Sequence, residues 1–193
     1  MINYDGKLYK QIEYKDGIEE VNFTDCEFDH CNFCEMIIKN VCFHSCKFRH
    51  CTLTNIEFKY SDLLNNEFYS CVLIGINWGD VVKANSVTLP FSRLQDCDLR
   101  YSIFSKLNLK GYSFKGCNLE GCFFAECNLE AADFNGCNLA DAQFAKNKLV
   151  RADFRNALNY NINIFENNLK KARFSYPEAM NLLSALNIEI EWE

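Results

Sequence analysis

The stretch "CNLEGCFFAECNLEAADFNGCNLADAQFAK", residues 117–146, repeats one pattern every five residues. Each group of five begins with a small residue, Cys or Ala, and has Phe or Leu two positions later. Neither the helical period of 3.6 residues nor the strand period of 2 produces this spacing. A fixed period that lasts for many copies indicates a repeat architecture, in which stacked units bury a core that no single unit could bury alone.

The five-residue count extends over most of the chain. Every fifth residue from Phe23 to Leu73 is Phe, Leu or Ile, and the count resumes at Leu94 and runs to Phe154. Asn159 breaks it, and apolar residues return at the next three positions. Fourteen of the 17 phenylalanines fall on this count, and ten of the 12 cysteines lie two residues before a counted position. Each unit is therefore predicted to point one large and one small side chain inward.

Units such as "CNLEG", "ADFNG" and "CNLAD" resemble the pentapeptide-repeat family. The resemblance covers residues 18–175 and implies an all-β solenoid, a right-handed quadrilateral β-helix with four repeats per coil. Coils stacked at about 4.8 Å give a rod on the order of 35 Å long. The expected single domain, 1–193, comprises an N-terminal cap (1–17), a first repeat run (18–75), a loop at a register break (76–93), a second repeat run (94–175) and a C-terminal helix and strand (176–193).

The stretch "CEFDHCNFCE", residues 26–35, has the spacing of a metal or redox site. On the five-residue count, however, Cys31 points inward and Cys34 outward, so the two thiols cannot ligate one metal. The cysteines are predicted to pack as small apolar side chains and to stay reduced, with no metal and no cofactor. The three histidines are expected to face water: His30, His44 and His50.

Charge and composition exclude several classes of function. The chain carries 20 basic and 26 acidic residues, a balance that disfavours direct binding to nucleic acid. No apolar run approaches the length of a membrane span, and the start "MINYDGKLYKQ" lacks the pattern of a secretory signal. We therefore expect a cytoplasmic protein without a membrane partner. No phosphate loop, GxSxG elbow or acid pair is found, so no catalytic residue is predicted and the chain is not expected to be an enzyme.

The first interruption of the repeat, "INWGDVVKANSVTLPFSR", spans residues 76–93. Leu73 and Leu94 are 21 residues apart, one more than a multiple of five. Part of the segment must therefore leave the wall of the solenoid, which the stacked repeats form, as a loop. A tolerated insertion and a partner-contact loop are both consistent with it. The candidate contact residues are Trp78, Asp80, Val82, Lys83, Pro90, Phe91 and Arg93, with the acidic residues Glu120, Glu126, Glu130 and Asp141.

The second interruption is the tail "YPEAMNLLSALNIEIEWE", residues 176–193. Pro177 suits the first turn of a helix, and "NIEIEW" alternates like a strand. Solenoids need a cap at their open ends, and a strand with an unpaired edge invites pairing with a second chain. The tail is therefore predicted to cap the coil and to form a homodimer. The expected dimerisation residues are Met180, Leu182, Leu183, Leu186, Ile188, Ile190 and Trp192.

The tail, with "LPFSRLQDCDLRYSIFSKLNL", residues 89–109, is similar to the Qnr and McbG branch of the family. That resemblance implies two-fold dimers joined at their C-termini. It also implies a partner, DNA gyrase or topoisomerase IV, which such proteins protect from quinolones or from a gyrase-poisoning peptide. The implied mechanism is mimicry of duplex DNA by an acidic rod.

The charge along the chain fits this mechanism only in part. Residues 1–75 have a net charge of −5, and residues 116–145 carry five acidic residues and no basic one. Residues 146–173 have a net charge of +5, so a dimer joined at its C-termini has a basic centre. A basic centre argues against literal mimicry of duplex DNA. Binding to gyrase through the acidic arms and the loop remains compatible with this charge. The alternative is an interaction scaffold for an unrelated protein target.

Overall fold

The computed structural model describes residues 1–14, 16–81 and 88–189 of the chain. Short strands pair in parallel with strands one coil away, as in the ladder that joins Phe28, Phe48 and Phe68 at intervals of 20 residues. Each coil brings the chain back to the same face, one strand spacing above the previous coil, so the molecule is a parallel β-solenoid. This confirms the fold class predicted from the five-residue period.

The strands are β1 (Ile2–Asp5), β2 (Leu8–Lys10), β3 (Glu13–Tyr14), β4 (Ile18–Glu19), β5 (Val21–Thr24), β6 (Glu27–Asp29), β7 (Asn32–Cys34), β8 (Ile37–Lys39), β9 (Cys42–His44), β10 (Lys47–Arg49), β11 (Thr52–Thr54), β12 (Glu57–Lys59), β13 (Asp62–Leu64), β14 (Asn66–Tyr69), β15 (Phe91–Gln95), β16 (Ile103–Ser105), β17 (Phe123–Ala125), β18 (Gln143–Ala145), β19 (Asp153–Phe154) and β20 (Arg173–Phe174).

These strands lie on four faces, which we number in the order in which the chain visits them. Face one holds β1-β5-β9-β13, and face two holds β2-β6-β10-β14-β15 and later β19-β20. Face three holds β3-β7-β11, and face four holds β4-β8-β12 and later β16-β17-β18. Single parallel bridges continue the ladders between these strands, for example from Asn108 to Asn128 on face one.

The core consists of stacked rings that follow the coil rise. On face two, the ring of Phe48 stacks on Phe28 and on Phe68 with centroids 4.8 Å apart in both pairs. Further along the same face, Phe134 stacks on Phe114 at 5.2 Å and on Phe154 at 4.7 Å. The backbone ladder sets the distance between coils, and this distance suits aromatic stacking.

The small inward position does more than fill space. Cys51 Sγ accepts a hydrogen bond from the Cys31 backbone N–H (3.4 Å) and donates one to the Phe28 carbonyl (3.3 Å). Asn66 makes the same bridge, since its Oδ1 accepts from Cys46 N–H at 2.9 Å and its Nδ2 donates to a carbonyl of the coil below. The cysteines therefore supply hydrogen bonds to the backbone as well as apolar packing, which the sequence had not indicated.

The corners between faces are of two kinds, and the kind of corner explains where alanine can replace a bridging cysteine or asparagine. In one kind the corner closes on itself, as where Tyr112 N–H bonds to the Leu109 carbonyl at 3.1 Å, and Ala132 stands above it in the next coil. In the other kind the N–H needs an acceptor from the next coil, as where Cys127 N–H bonds to Asn147 Oδ1 at 2.9 Å. Alanine suits only the first kind, because a buried N–H must be paired.

The predicted N-terminal cap is itself a coil. Three tyrosine rings stack on the phenylalanines of the next coil: Tyr4 on Phe23, Tyr9 on Phe28 and Tyr14 on Phe33, with centroids 5.6, 5.0 and 4.7 Å apart. The pairing of Ile2 with Val21 spans 19 residues, one fewer than in later coils. This one-residue deletion hides the first coil from a strict count in fives.

The coil that contains the first interruption is longer than its neighbours. Asn77 pairs with Ile103, a spacing of 26 residues where neighbouring coils have 20, so the coil holds six extra residues. The Val81 carbonyl still accepts a backbone hydrogen bond from the coil below (3.1 Å), and the Leu89 carbonyl accepts the next (2.9 Å). Backbone pairing with the coil below is therefore present at Val81 and again at Leu89, within the predicted loop of residues 76–93.

The tail contains a short 3₁₀-helix, Glu178–Leu186, which begins after Pro177 and ends at Asn187 in the left-handed region, with φ of 50°. Leu182 packs against the core, and Ser184 Oγ donates a hydrogen bond to Asn161 Oδ1 at 3.0 Å. The helix thus lies over the last coil, as a cap must. Two residues of the predicted strand, Ile190 and Trp192, fall outside the described part of the chain.

Native alkylation is expected to modify only Cys34 and Cys42, which are partly exposed, while the other ten cysteines are buried. Burial raises the pKa of the Cys46, Cys117 and Cys137 thiols to about 12, so thiolate is scarce as well as inaccessible. Mass spectrometry after iodoacetamide treatment measures this, and the denatured protein, which should take up twelve groups, is the control. Rapid native labelling of the buried thiols would contradict the inward placement.

Candidate partner-binding site

The segment that interrupts the repeat presents fewer side chains than the sequence suggested. Trp78 and Phe91 are fully buried, with ring centroids 5.0 Å apart in an edge-on arrangement, and Pro90 is also buried. Trp78 stands five residues after Leu73, where the count places an inward side chain. The three residues are buried in this arrangement, and their contact with a partner stays a prediction.

Asp80 and Arg93 are the exposed members of the predicted set in this segment. Asp80 Oδ2 accepts a hydrogen bond from Asn77 Nδ2 at 2.7 Å, which holds the carboxylate at the corner after face four. Arg93 lies on β15, on face two. The two residues therefore lie on either side of residues 82–87. Val82 and Lys83 fall outside the described residues, and the contact role of the segment stays a prediction.

The predicted acidic residues are spread over the wall instead of forming one site. Glu120 follows the inward residue Leu119 on face three, and Glu130 lies on face one. Asp141 and Glu126 occupy exposed corners. Glu130 is engaged by Lys148 and by Lys110, whose Nζ is 3.4 Å away, and the hydrogen bond from Lys148 holds the pKa of this carboxyl below its usual range. Glu126 and Asp141 are the most accessible of the four.

The basic end of the coil carries both paired and unpaired cations. Arg155 and Arg173 contact the Asp153 carboxylate at 2.8 and 2.6 Å, and the bond from Arg155 holds the pKa of that carboxyl below its usual range. Four other exposed basic side chains have no ion pair within the described ranges: Lys146, Arg151, Lys170 and Lys171. This end therefore keeps a positive surface.

An apolar stripe on face four was not predicted. Ile103 and Phe123 are paired on adjacent strands β16 and β17 and expose 37% and 36% of their surface. The polar Gln143 is their neighbour on β18, and Phe165, one coil beyond β18, exposes 73%. These outward positions are polar in most other repeats. The sequence did hold a signal, because Phe123 and Phe165 are two of the three phenylalanines that miss the five-residue count. We call Ile103, Phe123 and Phe165 the face-four stripe.

The predicted dimerisation residues up to Ile188, which the structure describes, are only partly covered by their own chain. Leu186 exposes 39% and Ile188 53% of their surface, while Met180, Leu182 and Leu183 are half-buried. The tail thus leaves apolar surface at the end of the solenoid. No helix in the described residues is both long and apolar enough to cross a membrane.

Two family models match the sequence of this chain. One, described as a pentapeptide repeat region, matches residues 97–174, and the other, described as pentapeptide repeats in eight copies, matches residues 19–55. Both describe the same five-residue unit, and they lie on either side of the interrupted coil. The chain belongs to the pentapeptide-repeat family.

One solved structure shares the fold at low sequence identity. A trypsin-treated variant of QnrB1, described as a plasmid-mediated fluoroquinolone resistance protein, is 16% identical, with a TM-score of 0.63 over 98% of this chain and 100% of that chain. HetL from the cyanobacterium Nostoc, described as involved in heterocyst differentiation regulation, is 15% identical, with a TM-score of 0.43 over 89% and 84%. Among curated protein sequences, no significant match was found.

Proposed function

We propose that this chain is a non-enzymatic protein that binds DNA gyrase or topoisomerase IV in the cytoplasm and protects it from quinolones or from a gyrase-poisoning toxin. The observation that supports this is the likeness in fold to QnrB1 along 98% of this chain and 100% of that one. The likeness therefore extends over nearly the whole of both chains.

The contact surface that we propose is acidic and lies away from the C-terminal end. Glu126 and Asp141 are exposed, and residues 116–145 contain no basic residue. Asp80 and Arg93 are exposed residues of the coil that holds six extra residues, and insertions on rigid scaffolds often carry function. The unpaired cations near Arg151 and Lys171 argue against mimicry of DNA along the whole rod.

The proposal includes a homodimer joined through the tail. Leu186 and Ile188 leave apolar surface beside the 3₁₀-helix, and a two-fold axis covers both copies of such a surface with one self-complementary contact. The coils then point away from the axis, so that each dimer offers two acidic arms. Light scattering at micromolar concentration measures the assembly.

A supercoiling assay with purified gyrase tests the function. Added protein should restore supercoiling in the presence of a quinolone, with little effect in its absence, because protection requires binding to the same enzyme that the drug poisons. The Leu186→Asp variant should be monomeric and lose most of this effect, since a charge desolvated at the dimer contact is unfavourable.

Lys115→Asp is the matched control, because it introduces the same side chain at an exposed position on face two, outside the tail. This variant should remain dimeric and protective. Equal loss of protection in both variants would contradict the role of the tail. An intact dimer with no effect on gyrase or topoisomerase IV would favour the scaffold alternative, for which the face-four stripe offers an apolar contact surface.

A further inference from the structure

The geometry points to a binding site for a divalent transition-metal ion at the corner between faces two and three, formed by Asp29, His30 and His50. One ligand atom from each of these residues lies within 4.8 Å of the other two. Asp29 and His30 lie in the stretch that looks like a metal motif in the sequence, whereas His50 comes from the next coil, and the ligands are the carboxylate and the imidazoles instead of the thiols.

The repeat places the two histidines one above the other. His30 and His50 occupy the same corner of successive coils, with φ of 54° and 52°. Their backbone N–H groups bond to carbonyls of the coil above, those of Arg49 and Tyr69, at 2.9 and 3.0 Å. The backbone that carries the imidazoles is therefore fixed, and their ring centroids lie 4.6 Å apart with a 26° tilt.

Asp29 supplies the third ligand from the adjacent position on β6. Its Oδ1 lies 2.8 Å from His30 Nδ1 and 3.6 Å from His50 Nδ1. An aspartate carboxyl is ordinarily ionised at neutral pH, so Asp29 supplies a negatively charged ligand. One carboxylate and two imidazoles form a ligand set that suits zinc, nickel or copper and leaves positions for water.

The nearest cations leave this carboxylate accessible. Arg49 pairs with Asp29 across the ladder, but its guanidinium contacts Glu27 at 3.0 Å and lies over the ring of Tyr69, 4.6 Å from the centroid. Arg49 is thus directed away from Asp29. Lys10 favours the ionised carboxylate from the coil below and is the charge with which a bound metal would compete.

Only small side-chain movements are needed for binding. Two ligands that bind one ion at about 2.1 Å lie at most about 4.2 Å apart, so the most distant pair must approach by less than about 1 Å. A metal also lies in the plane of each ring that binds it, so the stacked imidazoles must turn toward each other. Their side chains are 57% and 53% exposed, which leaves them room to turn.

Calorimetric titration of the untagged full-length protein with NiCl₂ tests the site. We expect saturable binding of one Ni²⁺ per chain, and His30→Asn and His50→Asn should each weaken it at least about tenfold. Asparagine is the appropriate replacement because it tolerates the left-handed corner, as Asn40 and Asn55 do at equivalent positions. Unchanged melting temperatures confirm that the variants fold.

His44→Asn is the matched control, because His44 is the third of the three histidines, is exposed, and lies on β9 of face one. This variant should bind Ni²⁺ like the wild type. The proposal is overturned if the dissociation constant of the wild type is weaker than about 1 mM. It is also overturned if His44→Asn weakens binding as much as the other two variants, since binding then reflects surface histidines in general.

Discussion

Replacing Phe114 with alanine is expected to lower the free energy of unfolding by about 3–5 kcal/mol. Phe114 is fully buried, its ring stacks on Phe134 at 5.2 Å, and it meets Phe104 and Phe124 edge-on at 5.5 and 5.7 Å. Alanine removes these contacts and leaves a cavity between coils. The strand ladders hold the coils at a fixed separation, so the cavity cannot collapse. Urea denaturation followed by circular dichroism measures the change.

The adjacent residue provides the control. Lys115 is exposed on the outer side of the same repeat, and Lys115→Ala should change the free energy of unfolding by less than about 0.5 kcal/mol. The two positions are adjacent in the sequence, but one side chain points into the core and the other into solvent. Similar losses in both variants would contradict the assignment of inward and outward positions.

Asn147→Ala should cost about 2–4 kcal/mol for a different reason, the loss of buried hydrogen bonds. Asn147 Oδ1 accepts from Cys127 N–H at 2.9 Å, and its Nδ2 donates to the Phe124 carbonyl at 2.8 Å and to Asn167 Oδ1 at 3.2 Å. Alanine leaves the N–H and the carbonyl without these partners inside the wall. The same urea experiment measures the effect.

Cys137→Ala tests whether the corner type, and not the position itself, sets this cost. Below Cys137, the N–H of Cys117 bonds to the Phe114 carbonyl at 2.9 Å within its own corner. Removing the Cys137 thiol therefore leaves no N–H unpaired, and the losses are a thiol hydrogen bond of 3.0 Å to the same carbonyl and the packing of one sulfur atom. A loss below about 1 kcal/mol is expected, and one as large as that of Asn147→Ala would refute the distinction.

The core could be predicted because the five-residue period reports directly which side chains point inward. Phe28, Leu99 and Phe134, taken from the beginning, middle and later part of the count, are all fully buried. The count failed where one residue was deleted or several were added. The count did not identify the first coil because Ile2 pairs with Val21 across 19 residues instead of 20. Within the interrupted coil, the count stopped although Trp78 still occupied an inward position.

The outward surface could not be predicted in the same way. A side chain on the outer wall touches residues 20 positions away along its ladder, so its neighbours are invisible to a local reading. The stacking of His30 on His50 and the pairing of Ile103 with Phe123 both arise from that distance. The predicted contact residues therefore differ in exposure: Trp78 and Phe91 are buried, while Asp80 is exposed.

The extra residues of the interrupted coil make this chain a natural carrier for grafted peptides. Asn77 still pairs with Ile103 and Val72 with Asp98, so the ladders on both sides continue as though nothing had been added. The length of chain between Val81 and Leu89 is therefore not dictated by the core. Cassettes of other lengths could be exchanged there, with two closely spaced ends held by the rod, so selection could vary this one segment without rebuilding the rest.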